Sequence, residues 1–257
     1  MSAYLPAIVM ITGATGGFGE AFARKFAAAG CKLILTSRKA DKLDALVKSL
    51  SVPVHKIIVD IRDRKAIEAA FKSIPAEFRA IDLLINNAGG AFGLEPAQEA
   101  LLDDWQNMIE ANDLGLVVCT HCVLPDMVKR KGGHIINIGS VSGTYPYPGG
   151  SVYCAAKAFV KQFSLSLRAD LTNTGVRVTN IEPGMVETSF SLNRFRGDAE
   201  KAAKVYEGAH ALTADDIAET VFWAATQPPH VNINRIELMP VTQASGPLAV
   251  YREKKPD

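Results

Sequence analysis

The stretch SVYCAAKAF, residues 151–159, sets a tyrosine and a lysine four residues apart among small and apolar side chains. On a helix that spacing puts Tyr153 and Lys157 on one face, a turn apart and within reach of each other. A phenol at its reference pKa of about 10 is a poor base near neutrality, but an adjacent ammonium favours the phenolate. The pair can therefore pass a proton to or from a substrate oxygen.

A second motif offers a phosphate cradle. TGATGGFGEAF places Gly13, Gly17 and Gly19, with Thr15 and Phe18 between them, after an apolar run and before an apolar helical pattern. Glycines let the backbone approach a pyrophosphate, and a helix N-terminus offers it free N–H groups and partial positive charge. The spacing is G-x-x-x-G-x-G, not the G-x-G-x-x-G of the general dinucleotide fingerprint. Where an NAD site carries an acid for the ribose 2′-hydroxyl, at the end of the second apolar run, the chain reads LILTSRKADKL. Ser37 and Arg38 stand there instead, a hydroxyl and a guanidinium suited to the 2′-phosphate of NADP.

The elements that must position these groups are legible as a rhythm. AIVMIT, KLILTS, VHKIIVD, IDLLINN, GHIINIGS, VRVTNIEPG and NRIELMP are short β-branched runs separated by helical patterns, as in βαβ units. Several are apolar almost throughout, the mark of strands buried on both faces of a parallel sheet. The predicted architecture is a single-domain doubly wound α/β Rossmann fold over residues 1–257, with a seven-stranded, mostly parallel sheet and helices on both faces. No repeat or linker divides the chain. Residues 186–208, VETSFSLNRFRGDAEKAAKVYEG, follow the sixth strand, are polar and mixed in charge, and form a candidate substrate lid.

Composition narrows the partners. With 28 Lys and Arg against 27 Asp and Glu, a net charge of +1 supports neither a nucleic-acid nor a membrane surface, and 48% hydrophobic residues supply a sizeable core. The N-terminal stretch lacks a basic leader region, and no run approaches the roughly 18 apolar residues of a membrane helix. A cytoplasmic enzyme with a small-molecule substrate is expected. The four cysteines include Cys119-x-x-Cys122 around His121. Without further ligands at metal spacing these read as small buried helix residues, with His121 in the core or an interface, and no metal site is expected.

TGATGGFG, NNAG at 86–89, Asn112, IGS ending at Ser140, Tyr153-x-x-x-Lys157 and PGMVET from Pro183 together resemble the short-chain dehydrogenase/reductase family, in the same order and over essentially the whole chain. The resemblance implies an NADP(H)-dependent oxidoreductase in which the cofactor carries a hydride while Tyr153 moves the proton. It implies that Lys157 also hydrogen-bonds the nicotinamide ribose, Ser140 holds the reacting oxygen and Asn112 relays protons through water. It further places Asp60 and Ile61 by the adenine, Asn86, Ala88 and Gly89 along the adenosine ribose, and Pro183, Gly184, Val186 and Thr188 around the carboxamide. One departure is that many NADP-preferring relatives carry a basic residue inside the glycine turn, where this chain reads ATG.

Within the family, phrases such as HIINIGS, HVNIN and MPVTQ are similar to bacterial NADP-dependent 3-hydroxy acid dehydrogenases of the serine and allo-threonine 3-dehydrogenase type, with sulfoacetaldehyde reductases in the same neighbourhood. Both substrate classes are small anions that need a fixed cation. Arg194 in the lid is the first candidate and Arg196 the second, with Tyr145 and Tyr147 shaping the pocket. A catalytically silent NADP-binding sensor is the contrasting reading, and the complete set of Ser140, Tyr153 and Lys157 weighs against it. Relatives of this kind form homotetramers, for which GLVVCTHCVLP and the helix of AAKAFVKQFSLSLRADL offer apolar faces.

Overall fold

The first apolar run becomes β1 (Ile8–Ile11), and the glycine-rich turn delivers the chain into α1 (Gly17–Ala28) in the computed structural model, which describes residues 4–246. The alternation continues through β2 (Lys32–Ser37), α2 (Ala40–Lys48), β3 (Val54–Ile58), α3 (Arg64–Lys72) and β4 (Leu83–Asn86). Next come α4 (Leu102–Ile109), a π-helical turn over Glu110–Leu114, and α5 (Gly115–Lys129), which run on as one helical rod, and then β5 (Gly133–Ile138). The chain ends with α6 (Ser151–Asp170), β6 (Val176–Pro183), the short α7 (Phe190–Arg194) and α8 (Ala199–Lys204), α9 (Ala214–Ala225) and β7 (Arg235–Leu238).

Among the described residues the seven strands form one sheet in the order β3-β2-β1-β4-β5-β6-β7, every neighbouring pair parallel. Each strand read from the sequence is present, and the mostly parallel expectation resolves to parallel throughout. The period-two alternation of strand side chains splits the core in two. Val9, Ile11, Leu33, Leu35 and Ile85 face Phe22 and Phe26 of α1 and Val221 of α9, whereas Ile8, Met10, Ile34 and Leu84 face Val118 and Val123 of α5 and Leu167 of α6. Double winding over two cores is what near-continuous apolar strands require.

Strand order reverses between β1 and β4, so the loops leaving these neighbours run in opposite directions and open a crevice at the C-terminal edge of the sheet. The crevice floor is tied across that gap: the backbone N–H groups of Asn87 and Ala88 both donate to Thr12 Oγ1 at 3.0 Å, and Asn87 Nδ2 donates to the carbonyls of Thr12 and Gly13 at 2.9 and 3.1 Å. In α5, Cys119 is buried and Cys122 half-buried, but His121 is exposed on the chain and not part of its core.

Candidate active site

The glycine turn is shaped by close approach. Gly13 has φ +66°, and a Cβ there would lie 2.9 Å from Ala88 Cα. A Cβ on Gly19 would lie 2.3 Å from the Gly13 carbonyl oxygen and 2.8 Å from Ala14 Cα, so α1 can pack onto β1 only with hydrogen at that position. No side chain caps Gly16, the residue before α1, which leaves the first N–H groups of the helix open toward the crevice.

A cleft of about 1140 Å³ runs from this turn along the C-terminal strand ends. Gly13, Thr15, Gly17, Phe18, Ser37, Arg38, Asp60, Ile61, Ala88 and Gly89 line one part of it, and Ser140, Tyr147, Tyr153, Lys157, Pro183, Gly184, Val186, Thr188 and Arg194 line the other. Its size and its glycine cradle suit an extended dinucleotide with a small substrate beside it.

Three expected site residues lie outside the lining. Gly19 serves the helix–strand contact just described. Asn86, expected along the ribose, is buried and turned the other way, donating from Nδ2 to Thr120 Oγ1 and Asn137 Oδ1, both at 2.9 Å. Strand alternation gives the cleft its neighbour Asn87 instead, a swap that counting alternate positions along β4 could have found. Asn112 is buried with both ends of its amide occupied: Nδ2 donates to the carbonyls of Gly90 and Met108 at 2.8 Å, and Oδ1 accepts from Gly90 N–H at 3.2 Å. Its side-chain amide thus pins the loop after β4 to the helical rod.

At the adenosine end Ser37 is buried, its Oγ 2.7 Å from Thr15 Oγ1 and accepting from the Lys39 N–H at 3.0 Å, while Arg38 is exposed at the rim. Asp60 accepts from Arg62, which holds its carboxyl down at about 2 chiefly by the side-chain hydrogen bond. Arg62 also bonds Asn107 of α4, a contact across sequence that local reading missed.

At the other end Tyr153 is buried, its ring 5.7 Å from that of Phe190. Burial pushes its hydroxyl well above the ordinary phenol range, with Tyr147 adding to the rise; the Ser140 hydroxyl, by hydrogen bond, and the Arg194 charge oppose it. Ser140 sits just past β5, its Oγ donating to Ser142 Oγ at 3.0 Å and accepting from the Ser142 N–H at 3.1 Å. Lys157 Nζ donates to the Ile138 carbonyl at 2.9 Å and lies 5.7 Å from the Tyr153 ring centre. Burial drives its pKa down to about 8, against the pull of Asp113.

The segment after β6 brings a cation to this end, Arg194 at the end of α7. Arg194 Nε donates to the Gly93 carbonyl at 3.1 Å and NH2 to the Tyr147 hydroxyl at 2.8 Å, and the guanidinium stands 5.3 Å from the Tyr147 ring centre. The Gly93 N–H returns a bond to the Arg194 carbonyl at 3.1 Å. Arg196 is instead committed to Asp104 of α4, and the Tyr145 hydroxyl to Glu237 at 3.2 Å. Phe190 over Tyr153, and Gln243, whose Oε1 accepts from the Met185 N–H at 2.7 Å, are site residues that the sequence reading passed over.

This geometry matches known proteins. The family described as short chain dehydrogenase matches residues 7–199. The chain belongs to the short-chain dehydrogenase family. Over 246 residues it is 56% identical to an NADP-dependent 3-hydroxy acid dehydrogenase of Salmonella typhi, covering 95% of this chain and 99% of that protein. It is 51% identical to a serine 3-dehydrogenase of Agrobacterium fabrum over 245 residues, covering 95% and 98% of the two chains. A solved structure of the closed form of a serine dehydrogenase complexed with NADP+ superposes with a TM-score of 0.92 at 52% identity, covering 96% of this chain and all of that one. Ser140, Tyr153 and Lys157 line the same cleft that begins at the glycine turn.

Proposed function

We propose that the chain is an NADP(H)-dependent oxidoreductase that interconverts a small anionic 3-hydroxy acid of the serine or allo-threonine type and its oxidised form. The observation that carries the substrate class is Arg194, a guanidinium on the lid held 5.8 Å from the Tyr153 ring centre. A fixed guanidinium beside a buried phenol selects a short substrate with an acid group a few atoms from the reacting oxygen. Named relatives above half identity act, by name, on hydroxy acids and serine.

The residues that would hold the cofactor are the glycine turn for the pyrophosphate, Ser37 and Arg38 for the 2′-phosphate, Asp60 and Ile61 for the adenine, and Pro183, Gly184, Val186 and Thr188 for the carboxamide. When bound, the nicotinamide supplies or accepts the hydride. Tyr153 gives its hydroxyl proton to the substrate oxygen in reduction and takes it back in oxidation. The Ser140 hydroxyl donates to the same oxygen and orients it. The Lys157 ammonium adds positive charge behind the phenol, and Arg194 fixes the substrate's acid group.

A sulfonate presents the same two-point face to a guanidinium as a carboxylate, so sulfoacetaldehyde is the alternative substrate for this site. The test is absorbance at the reduced-nicotinamide band with NADP(H) and NAD(H), against L-serine, 3-hydroxybutyrate-type acids and sulfoacetaldehyde. Turnover of the hydroxy acids with NADP supports the reading; selective reduction of sulfoacetaldehyde moves it to the sulfonate, and inertness toward every anion overturns it.

We also read the chain as a homotetramer. Leu102 and Ile109 of α4, Leu114 in the π turn, and Phe159 of α6, stacked on Phe163 at 5.8 Å, are apolar side chains on the exposed side of neighbouring helices. Light scattering tests this, and a fully active monomer would refute it. No helix among the described residues is long and apolar enough to cross a membrane, and all four cysteines are free, which fits a reducing cytoplasmic setting.

A further inference from the structure

Lys157 has a second ionisable neighbour besides Tyr153. Asp113 lies next to Asn112 in the π-helical turn, an element that packs against α6. Its Oδ1 is sealed from solvent with no hydrogen-bond partner, although the residue as a whole is only half-buried. A carboxylate oxygen removed from water is costly unless a charge faces it. Single π turns inside helices recur at functional sites because the extra residue redirects a side chain.

The charge that acts on the Asp113 carboxyl is that of Lys157. Burial pushes the Asp113 carboxyl up to about 7, against the pull of Lys157, and the ammonium of Lys157 is in turn favoured by Asp113 against its own burial. The two are not in ion-pair contact, since Nζ is bonded to the Ile138 carbonyl. Other charged groups on the elements packed against them are engaged or solvated. On α4 and its extension, Asp104 pairs with Arg196, Glu110 accepts from Gln106, and Asp103 is exposed. On β5 and β6, His134 is bonded to Thr179, Glu182 to Arg235, and Arg177 to the carbonyls ending α9. On α5, Asp126 pairs with Arg130, and His121 and Lys129 are exposed. On α6, Lys161 donates to Thr144, Arg168 is half-buried and Asp170 is exposed. Across Tyr153, Arg194 bonds Tyr147.

We propose that Asp113 is a positioning residue for Lys157: its buried, unpartnered carboxylate oxygen, presented from the π turn that packs on α6, keeps the buried lysine charged and aimed between Ile138 and Tyr153. This rests on the oxidoreductase reading for its purpose, because a neutral amine at position 157 would no longer favour the phenolate or an anionic transition state. The effect belongs to this chain's NDLG sequence, residues 112–115, where Asp follows the asparagine that pins Gly90.

The test needs neither cofactor nor substrate, so its outcome is separable from that of the oxidoreductase reading. The 13Cε signal of Lys157, assigned by its loss in Lys157→Met, is followed against pH in the full ligand-free chain. We expect a midpoint that falls by about one pH unit in Asp113→Asn and is largely restored in Asp113→Glu, which keeps the charge. The alkaline limb of kcat in the presence of saturating NADPH moves the same way. A Lys157 midpoint identical in the parent and Asp113→Asn overturns the proposal. Should Asp113→Asn fail to fold, the 13Cγ signal of Asp113 compared between parent and Lys157→Met decides: the carboxyl midpoint rises when the ammonium is removed, and an unchanged midpoint overturns the proposal equally.

Discussion

Arg194 stands 5.8 Å from the ring centre of Tyr153, so this guanidinium and the buried phenol face one small volume although they are 41 positions apart in sequence, 194 minus 153. A substrate bridging them must be short. Arg194→Ala is expected to lower kcat/KM for an anionic semialdehyde by roughly 2–4 kcal/mol, the cost of leaving a desolvated charge without its partner. An uncharged aldehyde of similar size should lose little. Steady-state kinetics on that matched pair decide, and equal losses would reduce Arg194 to a lid support through Gly93 and Tyr147.

Tyr153→Phe keeps the ring that packs on Phe190 and removes only the hydroxyl. Turnover should fall by about 10²–10⁴, the usual contribution of a positioned acid–base group, while NADPH affinity by fluorescence titration stays within about twofold. A parallel loss of NADPH binding would show that the hydroxyl holds the cofactor and does not move the proton.

Ser37 is fixed by Thr15 and the Lys39 N–H, so Arg38, exposed at the rim, is the adjustable part of the proposed 2′-phosphate site. Arg38→Asp should invert the preference from NADP(H) to NAD(H), by repelling the phosphate and accepting a ribose hydroxyl. The ratio of kcat/KM for the two coenzymes is the readout, and retention of NADP preference would shift the role to the basic residues Lys39 and Lys42, which also line the cleft.

Gly19→Ala sets a methyl carbon against backbone atoms, the Gly13 oxygen at 2.3 Å and Ala14 Cα at 2.8 Å, and backbone cannot yield as a side chain can. Overpacking of this kind costs about 1–3 kcal/mol. Thermal melting should show that loss together with weaker NADPH binding, since the same displacement moves the N-terminus of α1. Unchanged affinity with lowered stability would separate the cradle from the packing.

Asp60 is held at about 2 by Arg62, below its ordinary 3.8, so it binds fewer protons folded than unfolded. Its contribution is therefore present above pH 3.8 and lost as pH falls through about 2. Arg62→Gln should lower the melting temperature at pH 6 and lose most of that difference by pH 2. The pair is one-third exposed, so the effect is small, and a difference independent of pH would assign it to the Arg62–Asn107 bond alone.

The strands, the double winding and the glycine turn were legible in the sequence because each is a local pattern: a two-residue alternation, a run of β-branched residues, a glycine where a Cβ would strike the next strand. Tyr153 and Lys157 were legible for the same reason, since one helical turn relates them. Asn86 misled because two adjacent asparagines are equal candidates in sequence, and only the orientation of β4 gives Asn87 to the cleft and buries Asn86 against Thr120 and Asn137. The sequence reading placed Arg194 ahead of Arg196, but the physical ground for separating two guanidiniums two residues apart comes from the fold, which hands one to Tyr147 and the other to Asp104. Asp113 carried no motif, and its meaning arises from what is absent around it, a donor for Oδ1, and from what is present, Lys157 on another helix. Local covalent spacing fixes which groups share a turn or a strand face; desolvation and pairing between distant segments depend on which surfaces meet, and those are decided only when the whole chain has packed.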